Sequence, residues 1–279
     1  MCYCYFGDKM DTKFIDGNLI ITDVKHLNIP LCLDCGQAFR WKQAEDSTWQ
    51  GIANGKFLSL KQEEDKITFF NTTQEDFNSY WVKYFDLERD YEKILSSYNE
   101  ENLITACKAY PGIRILKQDE WEAICSFIIS ANNNIPRIKG IIERLCEGFG
   151  EKIEGGYTFP APEKIAVLQV EDLAPIRSGF RAKYIIDAAR KISSGEVDIE
   201  NVKAMDFEDA KNELLKIKGV GEKVAQCALL YGFGRMEAFP VDVWVKRIVA
   251  ELYPDGLPEC IKGTEGIAQQ YLFHWRRNL

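Results

Sequence analysis

The chain has 279 residues, of which 46% are hydrophobic and 28% charged, an ordinary globular composition with length for one large or two smaller domains. No run of about 18 apolar residues occurs, which excludes a membrane-spanning helix. Nine cysteines, an odd number scattered through a long chain, fit reduced thiols better than a disulfide framework. The N-terminus, Met1–Asp8, has no basic start followed by an apolar stretch. No signal peptide is therefore expected, and an intracellular location is the default, cytoplasm in a prokaryote or nucleus in a eukaryote. The net charge of −8 counts against a nucleic-acid partner. Its distribution softens that: residues 1–113 hold 12 Lys/Arg against 18 Asp/Glu, and residues 114–279 hold 23 against 25. Local basic clusters at Arg177–Lys191, Lys211–Lys223 and Arg276–Arg277 leave room for a positive footprint.

The first part reads as strands. Phe14–Ile21 carries Asp16-Gly17 between apolar runs, and Trp49–Leu60 carries Asn54-Gly55; both predict hairpins. Phe39-Arg-Trp41 and Ile67-Thr-Phe-Phe70 are short aromatic or β-branched runs that favour strands. Cys32 and Cys35 form a CxxC, but a zinc site needs a second pair or nearby histidines, and the only histidines are His26 and His274. The bland alternative is a buried strand end, and no metal is expected. From about Gln74 to Ser97 the pattern turns helical.

The second part reads as helices. Asp119, with Glu122 three residues on, looks like an N-cap for a helix carrying Trp121, Ile124, Cys125, Ile128 and Ile129 on one face. Pro136 sits at a first helical position, and that helix runs to about Cys146. Phe180–Ile192 is a further helix, basic on one side. The chain thus predicts an α+β protein, an antiparallel sheet domain over 1–113 followed by a helical domain over 114–279.

Residues 206–232 are the most informative. Asp206 caps a helix carrying Phe207, Ala210 and Leu214; it stops at Lys218-Gly-Val-Gly221, and a second helix runs from about Glu222 to Tyr231, closed by Gly232. Two short helices joined by Gly-x-Gly form a helix-hairpin-helix. Gly219, Val220 and Gly221 let the backbone turn and let a phosphate approach the free N–H groups of the second helix, which grips DNA without reading sequence. An ordinary αα-hairpin fits the same spacing. Lys223 lies in the first turn of that second helix, where the positive dipole end disfavours an added charge and so favours a nucleophilic amine; most lysines, however, are merely solvated. Cys227, four residues on, shares its face. Asp242, in Phe239-Pro-Val-Asp-Val-Trp244, opens a helix to about Leu252. It is a good N-cap, and a rigid capping carboxylate also suits stabilising positive charge on a sugar ring or positioning the lysine.

These residues carry a resemblance. Lys216-Ile-Lys-Gly-Val-Gly-Glu-Lys-Val-Ala-Gln-Cys227 followed by Pro240-Val-Asp242 resembles the helix-hairpin-helix/Gly-Pro-Asp signature of a DNA glycosylase superfamily. The likeness to the 8-oxoguanine DNA glycosylase/AP lyases is closer and spans most of the chain. Cys35-Gly-Gln-Ala-Phe-Arg-Trp41 resembles their N-terminal glycine segment, and Gly112–Asp119 with Ser126–Arg137 their central block. Gly179-Phe-Arg-Ala-Lys-Tyr184 resembles their DNA wedge, and Gly266–Phe273 their last pocket helix. The resemblance implies a C-terminal all-helical glycosylase domain split in two by the DNA groove, no cofactor, and duplex DNA containing oxidised guanine as the partner of a monomer. It implies Lys223 as the nucleophile at C1′, giving a Schiff base and then β-elimination, with Asp242 as the essential carboxylate. The Gly36 carbonyl would accept from N7–H, which 8-oxoguanine has and guanine lacks. Phe273 would stack on the flipped base, Cys227 would lie near its other face, and Gln269 would read its Watson–Crick edge. Asn132 would fill the gap in the duplex, Phe180 would be the wedge, and Arg137 and Arg181 would donate to the orphaned cytosine. A cation at the Lys218 and Val220 carbonyls is a minor possibility by the same likeness. Departures are Phe180 where animal members commonly carry tyrosine, Pro136 before Arg137, and Gln226 beside Cys227. Taken singly, Asn132 also fits a helix-end cap, Phe180 and Phe273 a core, and the two arginines simple phosphate contacts.

Three rivals are weighed. Alkyladenine-type glycosylases of the same architecture use water and an aspartate, which leaves Lys223 and the Gln269/Phe273 pair unexplained. The endonuclease III type carries an iron–sulfur cluster, but after Cys227 only Cys260 remains. A non-enzymatic hairpin module would need neither Lys223 nor Asp242.

Overall fold

Two-residue loops with left-handed backbone build the sheet. In the computed structural model, which describes residues 10–278, β1 (Asp11–Ile15) and β2 (Asn18–Thr22) meet across Asp16 (φ 51°) and Gly17 (φ 78°), as such a turn demands. β3 (Trp41–Gln43), β4 (Trp49–Ala53), β5 (Lys56–Glu63) and β6 (Lys66–Phe70) complete a six-stranded sheet of order β1-β2-β6-β5-β4-β3. Asn54 and Gly55, at φ 51° and 72°, turn β4 into β5. Leu19, Ile21, Leu58, Leu60, Ile67 and Phe69 alternate along β2, β5 and β6 and are all buried. They form one apolar face. The helical stretch 74–84, which includes a π-helical turn at Phe77–Trp81, lays Phe77 edge-on to Phe69 with centroids 5.2 Å apart.

The CxxC reading needs correction, because no strand ends there. Asn28 accepts from Leu31 N at 3.0 Å and Pro30 opens the first turn of α1 (Ile29–Asp34), with Cys35 at its end. Both thiols are buried, Cys32 donating to Gly112 O at 3.3 Å and Cys35 to Cys32 O at 3.6 Å. Burial pushes the Cys32 thiol up to about 11. Two further helices follow, α2 (Tyr91–Ser97) and α3 (Glu101–Ala109).

The next part is helical, and side-chain caps start most of its helices. Asp119 accepts from Glu122 N at 2.8 Å to open α4 (Glu120–Ser130), and Asn134 from Arg137 N at 3.0 Å to open α5 (Ile135–Phe149). After the 3-10 turn Gly179–Arg181 comes α6 (Ala182–Ser193). Asp206 accepts from Asp209 N at 2.9 Å ahead of α7 (Phe207–Leu215), and α8 (Glu222–Tyr231) completes the helix-hairpin-helix. α4 is buried from Trp121 to Ile129, with α5, α6 and α8 packed around it.

Finally, Asp242 accepts from Val245 N at 2.8 Å to open α9 (Val243–Leu252), and α10 (Glu265–Arg277) ends the described chain. The chain forms two compact units. One comprises the described residues up to Gly51, Leu58–Lys117 and Val241 onward; the other comprises Ile52–Phe57 and Gln118–Pro240. α9 and α10 therefore belong with the sheet-bearing unit, where α10 packs on α3. Tyr253 donates to the Glu100 carboxylate at 2.6 Å, and Tyr98 to Thr264 Oγ1 at 3.0 Å. Burial first, then the hydrogen bond to Glu100 and its charge, pushes the Tyr253 phenol up, so it stays a donor. Among the described residues no helix is long and apolar enough to cross a membrane. The leader reading of Met1–Asp8 lies outside the described residues.

Candidate active site

The hairpin turn is built against α6. Asp187 accepts from Lys218 N at 2.8 Å, Lys191 Nζ donates to Lys216 O at 2.6 Å, and Gly219 presses on the Tyr184 ring. Gly219 has φ +85°, and a Cβ there would lie 2.4 Å from that ring. At Gly221 a Cβ would meet nothing within 4 Å. Gly221 is also the N-cap of α8 and offers no side-chain cap, in contrast to Asp119, Asn134, Asp206 and Asp242 at other helices of this chain. The exposed turn thus presents uncapped N–H donors with space in front of them, the arrangement that receives an anion. Gly219→Ala is expected to destabilise by more than about 1 kcal/mol, because the new Cβ meets both a ring and a disallowed φ. Gly221→Ala should cost no more than about 1 kcal/mol of stability, the preference for glycine over alanine at an N-cap, and weaken DNA binding. Thermal melts and fluorescence anisotropy check the pair.

Lys223 follows in the first turn of α8. Its neighbours in the hairpin are all neutralised: Lys211 by Glu208 and Glu222 at 2.7 and 3.2 Å, Lys216 by Glu213 at 2.7 Å, and Lys218 by Asp187 at 3.7 Å. Lys223 has no carboxylate within ion-pair distance among the described residues. Its half-buried Nζ donates to Ser130 Oγ at 3.4 Å and stands 5.4 Å from the Phe127 ring centroid. Ser130 Oγ in turn donates to Phe127 O at 2.8 Å, and Phe127 stacks on Tyr231 at 5.1 Å. The amine is therefore seated by a hydroxyl and an aromatic face. Cys227 is buried on the same helix.

In the same unit, α4 ends at Ala131 and the chain turns through Asn132, exposed at φ 49°. Arg137 is exposed in the first turn of α5. Phe180 is 55% exposed, edge-on to Tyr184, with the Arg181 guanidinium 4.4 Å from its centroid. Arg181 itself is 2% exposed and bonds to Ala131 O and Asn132 O. Burial, and then the charge of Arg137, lowers its guanidinium from the usual value.

The sheet-bearing unit holds the remaining residues. Gly36 has φ 90°, a conformation glycine adopts without cost. It is fixed on both sides. Gln37, fully buried, donates to Cys32 O at 3.0 Å and Arg114 O at 2.8 Å and accepts from Leu116 N at 2.9 Å. Gln270 donates to Cys35 O at 3.3 Å, which brings α10, carrying buried Gln269 and half-buried Phe273, against the Gly36 loop. Arg277 lies 5.9 Å from the Phe273 ring centroid. Asp242 is half-buried at the start of α9, one carboxylate oxygen committed to the cap. The structure thus gathers Gly36, Gln269 and Phe273 in one unit, and Lys223, Asn132, Phe180 and the two arginines in the other.

Sequence reasoning did not single out Ser130, Phe127 or Gln270 as site residues. α4 is buried on every side, so no polar stripe marks Ser130 as facing a lysine. Gln226, the departure beside Cys227, accepts at Oε1 from Phe239 N at 2.7 Å and ties α8 to the segment before Pro240.

Residues 19–124 match the profile of the 8-oxoguanine DNA glycosylase N-terminal domain, and residues 125–257 that of the HhH-GPD superfamily of base excision DNA repair proteins. The N-glycosylase/DNA lyase of Saccharomyces cerevisiae is 33% identical over 274 residues, covering 88% of this chain and 72% of that protein. A Methanothermobacter thermautotrophicus protein, "Probable N-glycosylase/DNA lyase", is 36% identical over 61% of this chain; the match spans 62% of that relative's length. The crystal structure of the Clostridium acetobutylicum 8-oxoguanine glycosylase/lyase with duplex DNA containing cytosine opposite 8-oxoguanine has 36% identity and a TM-score of 0.89, covering 97% of this chain and 98% of that one.

Proposed function

The chain belongs to the 8-oxoguanine DNA glycosylase/lyase family of helix-hairpin-helix base-excision repair enzymes, and from that premise we propose that it excises 8-oxoguanine from duplex DNA through a Schiff base on Lys223. The observation that carries this reading is the seat of Lys223, an amine in the first turn of the hairpin's second helix with no carboxylate partner among the described residues, resting on Ser130 and Phe127. Its nitrogen lone pair attacks C1′ of the damaged nucleotide while the C1′–N9 bond breaks and its electrons leave with the base. Loss of a proton and ring opening give the Schiff base, and β-elimination then cleaves the strand on the 3′ side. The Asp242 carboxylate stabilises the positive charge that develops on the sugar.

Base recognition falls to the other unit. The Gly36 carbonyl accepts from N7–H of 8-oxoguanine; guanine would present an acceptor there and leave the carbonyl unpaired. Gln269 reads the Watson–Crick edge and Phe273 stacks on the base, with Cys227 near the opposite face. Gly219, Val220 and Gly221 receive a backbone phosphate. Phe180 opens the stack, Asn132 fills the gap, and the Arg137 and Arg181 loops face the orphaned base. The enzyme works as a monomer, without a cofactor, in the compartment that holds the DNA.

The test is wild-type protein with a duplex carrying 8-oxoguanine opposite cytosine, with and without sodium borohydride. A nicked strand and a reduced covalent complex are expected. Excision without trapping would replace the lysine mechanism by a water-based one, and binding without excision would leave a hairpin module only. Arg137→Ala is expected to shrink the preference for cytosine over other opposite bases by about tenfold, the worth of one good base-edge contact. Single-turnover rates opposite each base measure it.

A further inference from the structure

We infer that Gln37 and Gln270 are positioning residues that hold the polarity of the Gly36–Gln37 peptide, and through it the preference for 8-oxoguanine over guanine; this rests on the function proposed above. The peptide plane that carries the Gly36 carbonyl carries the Gln37 N–H on its opposite edge. The carbonyl suits N7–H of 8-oxoguanine. Turned over, the same plane would offer an N–H, which suits guanine, whose N7 is an acceptor. The sense of the discrimination therefore depends on the orientation of one peptide. Glycine is the residue least able to hold an orientation by itself, since it has no Cβ to restrict its dihedrals. Gly36 is half-buried at φ 90°, and what fixes its peptide is supplied by its neighbours.

Both neighbours are tied. Before the glycine, Cys35 O accepts from Gln270 Nε2 at 3.3 Å, so the preceding peptide plane is held from α10. After it, the fully buried Gln37 side chain donates from Nε2 to Cys32 O at 3.0 Å and to Arg114 O at 2.8 Å, and accepts at Oε1 from Leu116 N at 2.9 Å. Both hydrogens and the oxygen of that amide are in use, as a buried amide requires. Arg114 is itself anchored: its buried guanidinium donates to Lys25 O, His26 O and Asp86 O at 2.7, 2.9 and 2.7 Å and lies 4.5 Å from the Tyr91 ring centroid. The loop is thus pinned on each side of its one pliable residue. Gln270 is also the next residue after Gln269, about 100° round the same helix. One helix therefore presents a base-reading side chain on one face and braces the discriminating loop with another.

Gln270→Met and Gln37→Met keep the length of the side chain and remove its amide. Each is introduced into Lys223→Gln protein, so that binding is read without excision. Fluorescence anisotropy then compares duplexes carrying 8-oxoguanine, guanine or a tetrahydrofuran abasic site opposite cytosine. Each variant should lower the ratio of 8-oxoguanine to guanine affinity by about tenfold, the worth of one buried hydrogen bond left unmade. Affinity for the abasic duplex, which offers no base to read, should stay that of the Lys223→Gln parent. An unchanged ratio, or an equal loss on the abasic duplex, would make the two glutamines supports of the fold alone and overturns the inference. Thermal melts accompany each variant, and should Gln37→Met fail to fold, Gln270→Met, which gives up a bond to a single carbonyl, is judged by the same two criteria. A parent with no preference for 8-oxoguanine over guanine would instead remove the functional reading itself, and this inference with it.

Discussion

Lys223→Gln is expected to abolish the borohydride-trapped complex and strand nicking, and to slow base excision by at least about a thousandfold, in line with loss of a nucleophile. The substitution isolates chemistry from folding. Glutamine keeps much of the length and can still donate to Ser130, so the contact at 3.4 Å has a substitute. No ion pair is lost, because among the described residues no carboxylate lies within ion-pair distance of this lysine. The melting temperature should therefore correspond to a stability within about 0.5 kcal/mol of wild type. Single-turnover excision, denaturing gels after borohydride and a thermal melt are the three measurements. A trapped complex that survived would place the attacking amine elsewhere, and the unpaired state of Lys223 would then be incidental.

Asp242 permits a sharper separation, because the proposed mechanism adds a second role to the cap it provides. As an N-cap it accepts from Val245 N at 2.8 Å, and asparagine caps about as well as aspartate. Asp242→Asn should thus melt close to wild type, yet excise about a hundred- to a thousandfold more slowly, the usual cost of removing an electrostatic contact to a transition state. Asp242→Ala removes the cap as well and should lose about 1 kcal/mol of stability in addition. If Asp242→Asn retained full rate, the residue would be a cap and nothing more.

Local signals in this sequence proved readable where one or two residues determine a conformation. Asp16-Gly17 and Asn54-Gly55 marked both hairpins, and Asp119, Asp206 and Asp242 marked three helix starts, because turns and caps are short-range chemistry. The helix-hairpin-helix was legible for the same reason. The CxxC was misread because two buried cysteines look alike in a strand or a helix; Asn28 and Pro30, a cap and a first-turn proline, were the missed signals. The membership of α9 and α10 in the sheet-bearing unit was not legible from periodicity, since it depends on pairings such as Tyr253 with Glu100, 153 positions apart. Within the candidate site, the contacts each side chain makes were not visible in the sequence. Nothing in the order Phe180-Arg181 announces that the guanidinium is turned inward onto a loop 50 residues earlier.

The ion-paired lysines of the hairpin bear on how the protein travels along undamaged DNA. Affinity for a bare duplex comes largely from cations that displace condensed counterions, one for each phosphate neutralised. Lys211, Lys216 and Lys218 already carry internal counter-charges, so each must exchange a carboxylate for a phosphate rather than simply release an ion. With a net charge of −8 over the whole chain, little long-range attraction remains. On the function proposed above, the amide-lined turn grips a phosphate only at short range and in one geometry. The expected consequence is a protein that samples DNA in brief separate encounters and dwells only where a base has left the stack.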